Sequence, residues 1–146
     1  MQITREADYA IRCVYYLSGK KGGVTMVEEI SKEMKIPNSF LAKILQKLGK
    51  ASLVKSRRGV KGGFELARPP QEVSLLEVIE AVQGPVAMNV CALDEALCGF
   101  SSTCTAHPVW VEIRREIEKI LRGKNFADLL ISPKSSLQEK PPDTLT

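Results

Sequence analysis

The 146-residue chain has a single histidine and four cysteines, and no two of its cysteines form a Cys-x-x-Cys knuckle. That absence argues against the commonest structural zinc sites. No apolar run approaches the roughly 20 residues a membrane-spanning helix needs. The opening MQITREADYA has neither the basic stretch nor the long apolar stretch of a secretory signal. The expectation is a soluble, cytoplasmic protein without a membrane partner. No glycine-rich nucleotide loop follows a strand-like segment, and one histidine leaves little from which to build an acid–base or nucleophilic constellation. An enzyme is therefore not expected.

Charge is unevenly spread. The net charge is +4, but residues 1–70 carry 14 Lys and Arg against 6 Asp and Glu, whereas residues 71–146 carry 7 against 11. A first half at +8 joined to a second at −4 suits a basic module that meets nucleic acid beside one that does not. A basic surface that is merely solvated is the plainer alternative, so the charge argues only in company with motifs.

Three of the cysteines and the histidine fall within one stretch, CALDEALCGFSSTCTAH, spaced Cys91-x6-Cys98-x5-Cys104-x2-His107. Thiolates and imidazole favour zinc or iron–sulfur chemistry over calcium or magnesium. Gly99, Ser101, Ser102 and Thr103 let the backbone turn around an ion or cluster. Structural disulfides conflict with the odd number and with an intracellular location, and inert packing thiols leave the concentration of ligand types unexplained. A structural zinc site with three cysteines and one histidine is the serious competitor. The wide spacing favours a cluster that needs room. Cys13 stands apart in a helical segment and reads as a packing residue.

Ahead of this loop, residues 3–18 read as a helix capped by Thr4, with Ile3, Ala7, Ala10, Ile11, Val14 and Leu17 on its apolar face. Thr25-Met26-Val27-Glu28 has the capping-box pattern and opens a short helix whose Val27, Ile30 and Met34 face inward. Pro37 interrupts it, and Asn38 or Ser39 is placed to cap a third helix over 38–50, which buries Phe40, Leu41, Ile44, Leu45 and Leu48. Its other side offers Ser39, Ala42, Lys43, Gln46, Lys47 and Lys50. Two short helices about a tight break describe a helix-turn-helix. Strand-like segments at 53–57 and 64–68 flank the cationic, glycine-rich tip RGVKGG, so a basic wing follows. The expected fold is mainly α with a small β wing, a winged helix-turn-helix. Ser39, Lys43 and Lys47 are its candidate groove contacts, and Arg58 and Lys61 its candidate backbone or minor-groove contacts.

Ser74-Leu75-Leu76-Glu77 is a second capping box, opening a helix that packs through Leu75, Val78, Ile79 and Val82. After His107-Pro108, Trp110, Ile113, Ile117 and Ile120 recur at heptad spacing, which suits a long C-terminal dimerisation helix. About 15 residues of helix span roughly 22 Å, enough to join two winged domains. Asn125 to Ile131 adds a last turn. The expected organisation is a winged domain over 1–83, a ligand loop over 84–107, a dimer helix and its end over 108–131, with homodimer contacts through 108–122, and a disordered tail over 132–146.

The chain resembles the winged-helix iron–sulfur regulators typified by IscR, with NsrR a relative. The likeness runs over residues 1–131, through ITREADYAIR, IPNSFLAKILQKLGKASLVKSRRGVKGGFELAR, SLLEVIEAVQG and the three-cysteine loop ending in CTAHPVW. The resemblance implies a homodimeric transcription factor on a roughly palindromic double-stranded DNA operator. It implies an iron–sulfur cluster, of the 2Fe-2S type, on Cys91, Cys98, Cys104 and His107, and control of cluster-assembly genes. Asp8 stands where NsrR-like members draw a fourth ligand from the partner, so a 4Fe-4S cluster and nitric-oxide sensing stay open, as do a zinc-stabilised repressor and an electron carrier. At Ala42 the chain departs from IscR, whose matching carboxylate tunes site choice.

Overall fold

In the computed structural model, residues 1–20 and 22–131 are described. The elements are α1 (Arg5–Ser18), α2 (Val27–Met34), α3 (Asn38–Lys50), strands β1 (Val54–Arg57) and β2 (Gly63–Leu66), then α4 (Leu75–Gln83), α5 (His107–Arg122) and α6 (Phe126–Ile131). This is the expected mainly helical winged helix-turn-helix. The tail expected over 132–146 lies outside the described residues.

Most of the winged domain packs around α1. Thr4, in extended conformation, accepts the Ala7 N–H at 3.1 Å, and Glu6 and Asp8 place carboxylates at the positive end of the helix. Ala7, Ala10, Cys13 and Val14 are fully buried, and the helix touches α2, α3, α4, α6 and β2. Cys13 is the packing residue its position suggested; burial pushes its thiol up to about 12. Ile3, expected on this face, precedes the helix and is exposed. The N-terminal segment is pinned instead by Gln83, whose amide accepts from Thr4 N–H at 3.0 Å and donates to the Gln2 carbonyl at 2.9 Å.

The break between α2 and α3 is held locally. Lys35 adopts a left-handed conformation (φ 54°), Ile36 is buried, and Ser31 exchanges hydrogen bonds with Ile36 through its Oγ and its carbonyl. Three sequence expectations fail here. Thr25 does not cap α2, because its N–H and carbonyl are both taken by Phe64 in an antiparallel bridge, leaving Met26 as an uncapped boundary residue. Neither Asn38 nor Ser39 caps α3, which starts at Asn38 itself after Pro37. Phe40 is 45% exposed rather than in the core, lying edge-on to Tyr9 at 5.8 Å. Leu41, Ile44, Leu45 and Leu48 do form the buried face of α3.

β1 and β2 pair antiparallel, with Val54 opposite Leu66 and Arg57 opposite Gly63. Glu65 accepts from Arg57 at 2.7 Å and lies 3.5 Å from Lys55, and the Arg57 bond foremost holds its carboxyl below the ordinary value. The Ser74–Glu77 capping box closes as expected. Leu76, not singled out in sequence, is buried with Ile79 and Val86, and Ile117 and Leu121 of α5 pack on them. Phe126 is fully buried in the winged core, so the chain returns after α5 to the domain it left. Leu75 N–H bonds the Lys124 carbonyl at 2.9 Å and Phe126 N–H the Val73 carbonyl at 3.1 Å. No described helix is long and apolar enough to cross a membrane.

Candidate functional site

Two surfaces carry the candidate residues. On the first, the burial of Leu41, Ile44, Leu45 and Leu48 turns Ser39, Ala42, Lys43 and Gln46 of α3 outward, all exposed. Lys43 has no ion-pair partner among the described residues, nor have Arg58 and Lys61 on the exposed wing tip. Lys47 is placed differently. Its Nζ lies 2.8 Å from Glu6 and donates to the Val82 carbonyl at 3.3 Å, so it joins α3 to α1 and α4 instead of standing with Lys43. Sequence periodicity does not see this, because Lys47 sits at the margin of the apolar stripe and its partners are remote in sequence.

The wing tip requires glycine for space. A Cβ on Gly62 would come 2.5 Å from the Arg57 carbonyl, and one on Gly63 would collide with the Thr25 carbonyl. Gly59 at the tip has φ 118°. The basic residues are thus carried on a turn whose shape the glycines determine.

The second surface is the loop from α4 to α5. It folds into two short 3-10 turns, Val90–Ala92 and Glu95–Leu97, opened where the Asn89 and Asp94 side-chain oxygens accept from the Val90 and Ala96 N–H. Cys91 is buried in the first turn, Cys98 is partly buried and Cys104 is exposed; all four cysteines of the chain are free thiols. His107 is the first residue of α5, is 8% exposed, and is the only buried residue of that helix. Its Nε2 lies 3.4 Å from Glu95 Oε1, and its Nδ1 is buried without a hydrogen-bond partner. Among the described residues, no three His, Cys, Asp or Glu side chains converge as a metal site. Asp8, the alternative fourth ligand, is paired to Arg12 at 2.7 Å on α1.

The donors fit a thiophilic metal or cluster: three unbridged thiols and an imidazole with an uncommitted buried nitrogen. Because they do not converge among the described residues, the loop would have to close for one metal or cluster to use them together. Two features that sequence reasoning missed connect the loop to its surroundings. Arg114 of α5 donates to the Ala92 carbonyl at 2.7 Å, beside Cys91, and is paired to Glu118 at 2.8 Å. Glu95 reaches His107. Only the position of Glu95 between two cysteines could have drawn attention to it.

An outward-facing third helix and a glycine-shaped basic wing define a winged helix-turn-helix DNA-binding regulator. The Rrf2 family model, described as an iron-dependent transcriptional regulator, matches residues 3–132, and the chain belongs to that family. It is 32% identical over 124 residues to a protein named as an HTH-type transcriptional regulator in Aquifex aeolicus, covering 84% of this chain and 86% of that one. It is 31% identical over 133 residues to the HTH-type transcriptional regulator IscR of Aliivibrio salmonicida, covering 90% and 78%. Among solved structures, T. potens IscR superimposes with a TM-score of 0.74 at 22% identity over 96% of this chain and 93% of that one, a likeness of fold.

Proposed function

We propose that the protein is a homodimeric regulator that senses iron–sulfur status through Cys91, Cys98, Cys104 and His107 and controls cluster-assembly genes from a roughly palindromic operator. The observation that carries the reading is the buried, unpartnered Nδ1 of the chain's one histidine at the junction between a three-thiol loop and α5. A buried polar atom without a partner is costly, and a metal bond would satisfy it. A bound 2Fe-2S cluster would supply one-electron chemistry and sensitivity to oxidants, nitric oxide and iron supply.

Ser39 and Lys43 would meet base edges and phosphates in the major groove, and Arg58 and Lys61 the backbone or minor groove. Lys47, engaged with Glu6, would act in packing α3. The second copy would lie along α5, where Val109 and Ile120 are exposed while Ile117 and Leu121 turn to their own domain. Half-sites would fall about one or two helical turns apart. Loop closure would move α5 against the winged domain, with a coupling free energy on the order of 1–3 kcal/mol between cluster and operator.

Anaerobic purification with iron, sulfide and zinc analysis tests this reading. Equal iron and sulfide, with visible charge-transfer absorption lost in Cys98→Ala, is the expected result. Operator affinity should then differ between loaded and metal-free protein. Stoichiometric zinc without sulfide would leave DNA binding standing and remove the sensor, and iron–sulfide content without DNA affinity would favour an electron carrier.

A further inference from the structure

The contact between His107 and Glu95 determines more than proximity. A carboxylate can only accept, so the 3.4 Å approach of Glu95 Oε1 to Nε2 is a hydrogen bond only if Nε2 carries the proton. The ring is thus oriented with Nε2 toward the carboxylate, and Nδ1 is the ring nitrogen left buried without a protein partner.

Glu95 is itself held in place. Its backbone carbonyl accepts from Ser101 Oγ at 3.0 Å and from Cys98 N–H at 3.3 Å, so the turn that carries Cys98 also anchors the Glu95 backbone. The Glu95 side chain is 81% exposed, whereas that of His107 is 10% exposed. Glu95 thus reaches a buried ring from the solvent side, and no tertiary packing depends on it.

We propose that Glu95 is a positioning residue: it fixes His107 as the Nε2–H tautomer and presents Nδ1 as the atom that binds the metal. This rests on the reading above, in which three cysteines and His107 hold the cluster, and adds which nitrogen ligates and what orients it. Carboxylates behind ligating histidines fix ring orientation and raise ligand basicity, and losing one typically costs 10–100-fold in metal affinity.

The single histidine makes the test unambiguous, because every histidine signal comes from His107. In metal-free full-length protein labelled with ¹⁵N-histidine, long-range proton–nitrogen NMR should show only the Nε2–H tautomer. Glu95→Ala should admit the other, while its unchanged amide spectrum elsewhere reports an intact fold. In the reduced, loaded protein, pulsed EPR with histidine labelled at Nδ1 alone should show the strong coupling of a directly bound nitrogen, and Glu95→Ala should lose its cluster about 10-fold faster. An Nδ1–H tautomer in the wild type, strong coupling at Nε2, or a Glu95→Ala protein unchanged in tautomer and cluster lifetime overturns the inference while leaving the sensor reading intact. A wild type that takes up neither iron nor sulfide overturns both.

Discussion

Thr25 and Phe64 exchange both of their backbone hydrogen bonds, N–H to carbonyl at 2.9 Å in each direction. The wing is thereby fastened to the segment just ahead of α2, which holds it in one frame with the helix-turn-helix. Gly63 permits the approach, because any Cβ there meets the Thr25 carbonyl, which is backbone and cannot rotate away. Gly63→Ala should lower stability by about 1–3 kcal/mol through forced separation of the strands. Denaturant unfolding measures this, and operator affinity should fall more than helix content.

Lys43 and Lys47 share a helix but not an environment, and their variants should separate. Lys43→Ala should weaken operator binding and reduce the magnitude of the log–log salt slope by about 1. Lys47→Met should leave that slope unchanged and lower stability by no more than about 1 kcal/mol, because the pair with Glu6 is partly exposed. Equal slope changes in the two variants would place both lysines on phosphates.

Glu77 gives a pH signature. Burial pushes its carboxyl up, but the Ser74 N–H and Arg68 together outweigh that, and the net effect is a lowered value. A carboxyl whose folded value is depressed contributes stability above its unfolded value and loses it as pH falls through the folded one. Thermal unfolding of Glu77→Gln should thus differ most from wild type near neutrality, with the two curves converging below the ordinary value of 4.5. Ser74→Ala, which removes the cap itself, should cost about 1 kcal/mol.

The four thiols should react in order of exposure. In native metal-free protein, Cys104 should be alkylated first, Cys98 next and Cys91 slowly, while Cys13, fully buried and with its thiol pushed up to about 12, should wait for unfolding. Timed alkylation read by peptide mass spectrometry gives the order. Early modification of Cys13 would show that α1 opens from the core.

Arg114 of α5 donates to the turn carrying Cys91, at the Ala92 carbonyl. Arg114→Ala should cost about 1–3 kcal/mol of stability by removing a charged hydrogen bond. It should also narrow the difference in operator affinity between loaded and metal-free protein. Fluorescence anisotropy on both forms measures that difference, and an unchanged ratio would route the coupling elsewhere.

The helices and the wing were legible in sequence because their signals are local. Thr4 and the Ser74–Glu77 box mark helix starts, and α3 spans the residues its periodicity indicated. What misled were local patterns overridden by distant partners. Thr25 looks like a cap until Phe64 claims its backbone, and Lys47 looks like a surface charge until Glu6 is beside it. Phe126, in a short segment past the long helix, carried no local sign that it fills the winged core. The candidate ligands were legible as a spacing, but the orientation of His107 depends on Glu95 twelve residues away and could not be read from a line of letters.

The return of the chain after α5 also determines how that helix can move. Its C-terminal end is clamped where Lys124 meets Leu75 and where Asn125 pairs with Ser74, while its N-terminal end hangs on the cysteine loop. Such a helix would act as a lever with its fulcrum at residues 123–126. Its 16 residues reach about 24 Å, so a swing of about 10° carries the far end roughly 4 Å. Closure of the loop around the proposed cluster would be a shift of that order, and the clamp would turn it into rotation of the whole rod rather than sliding.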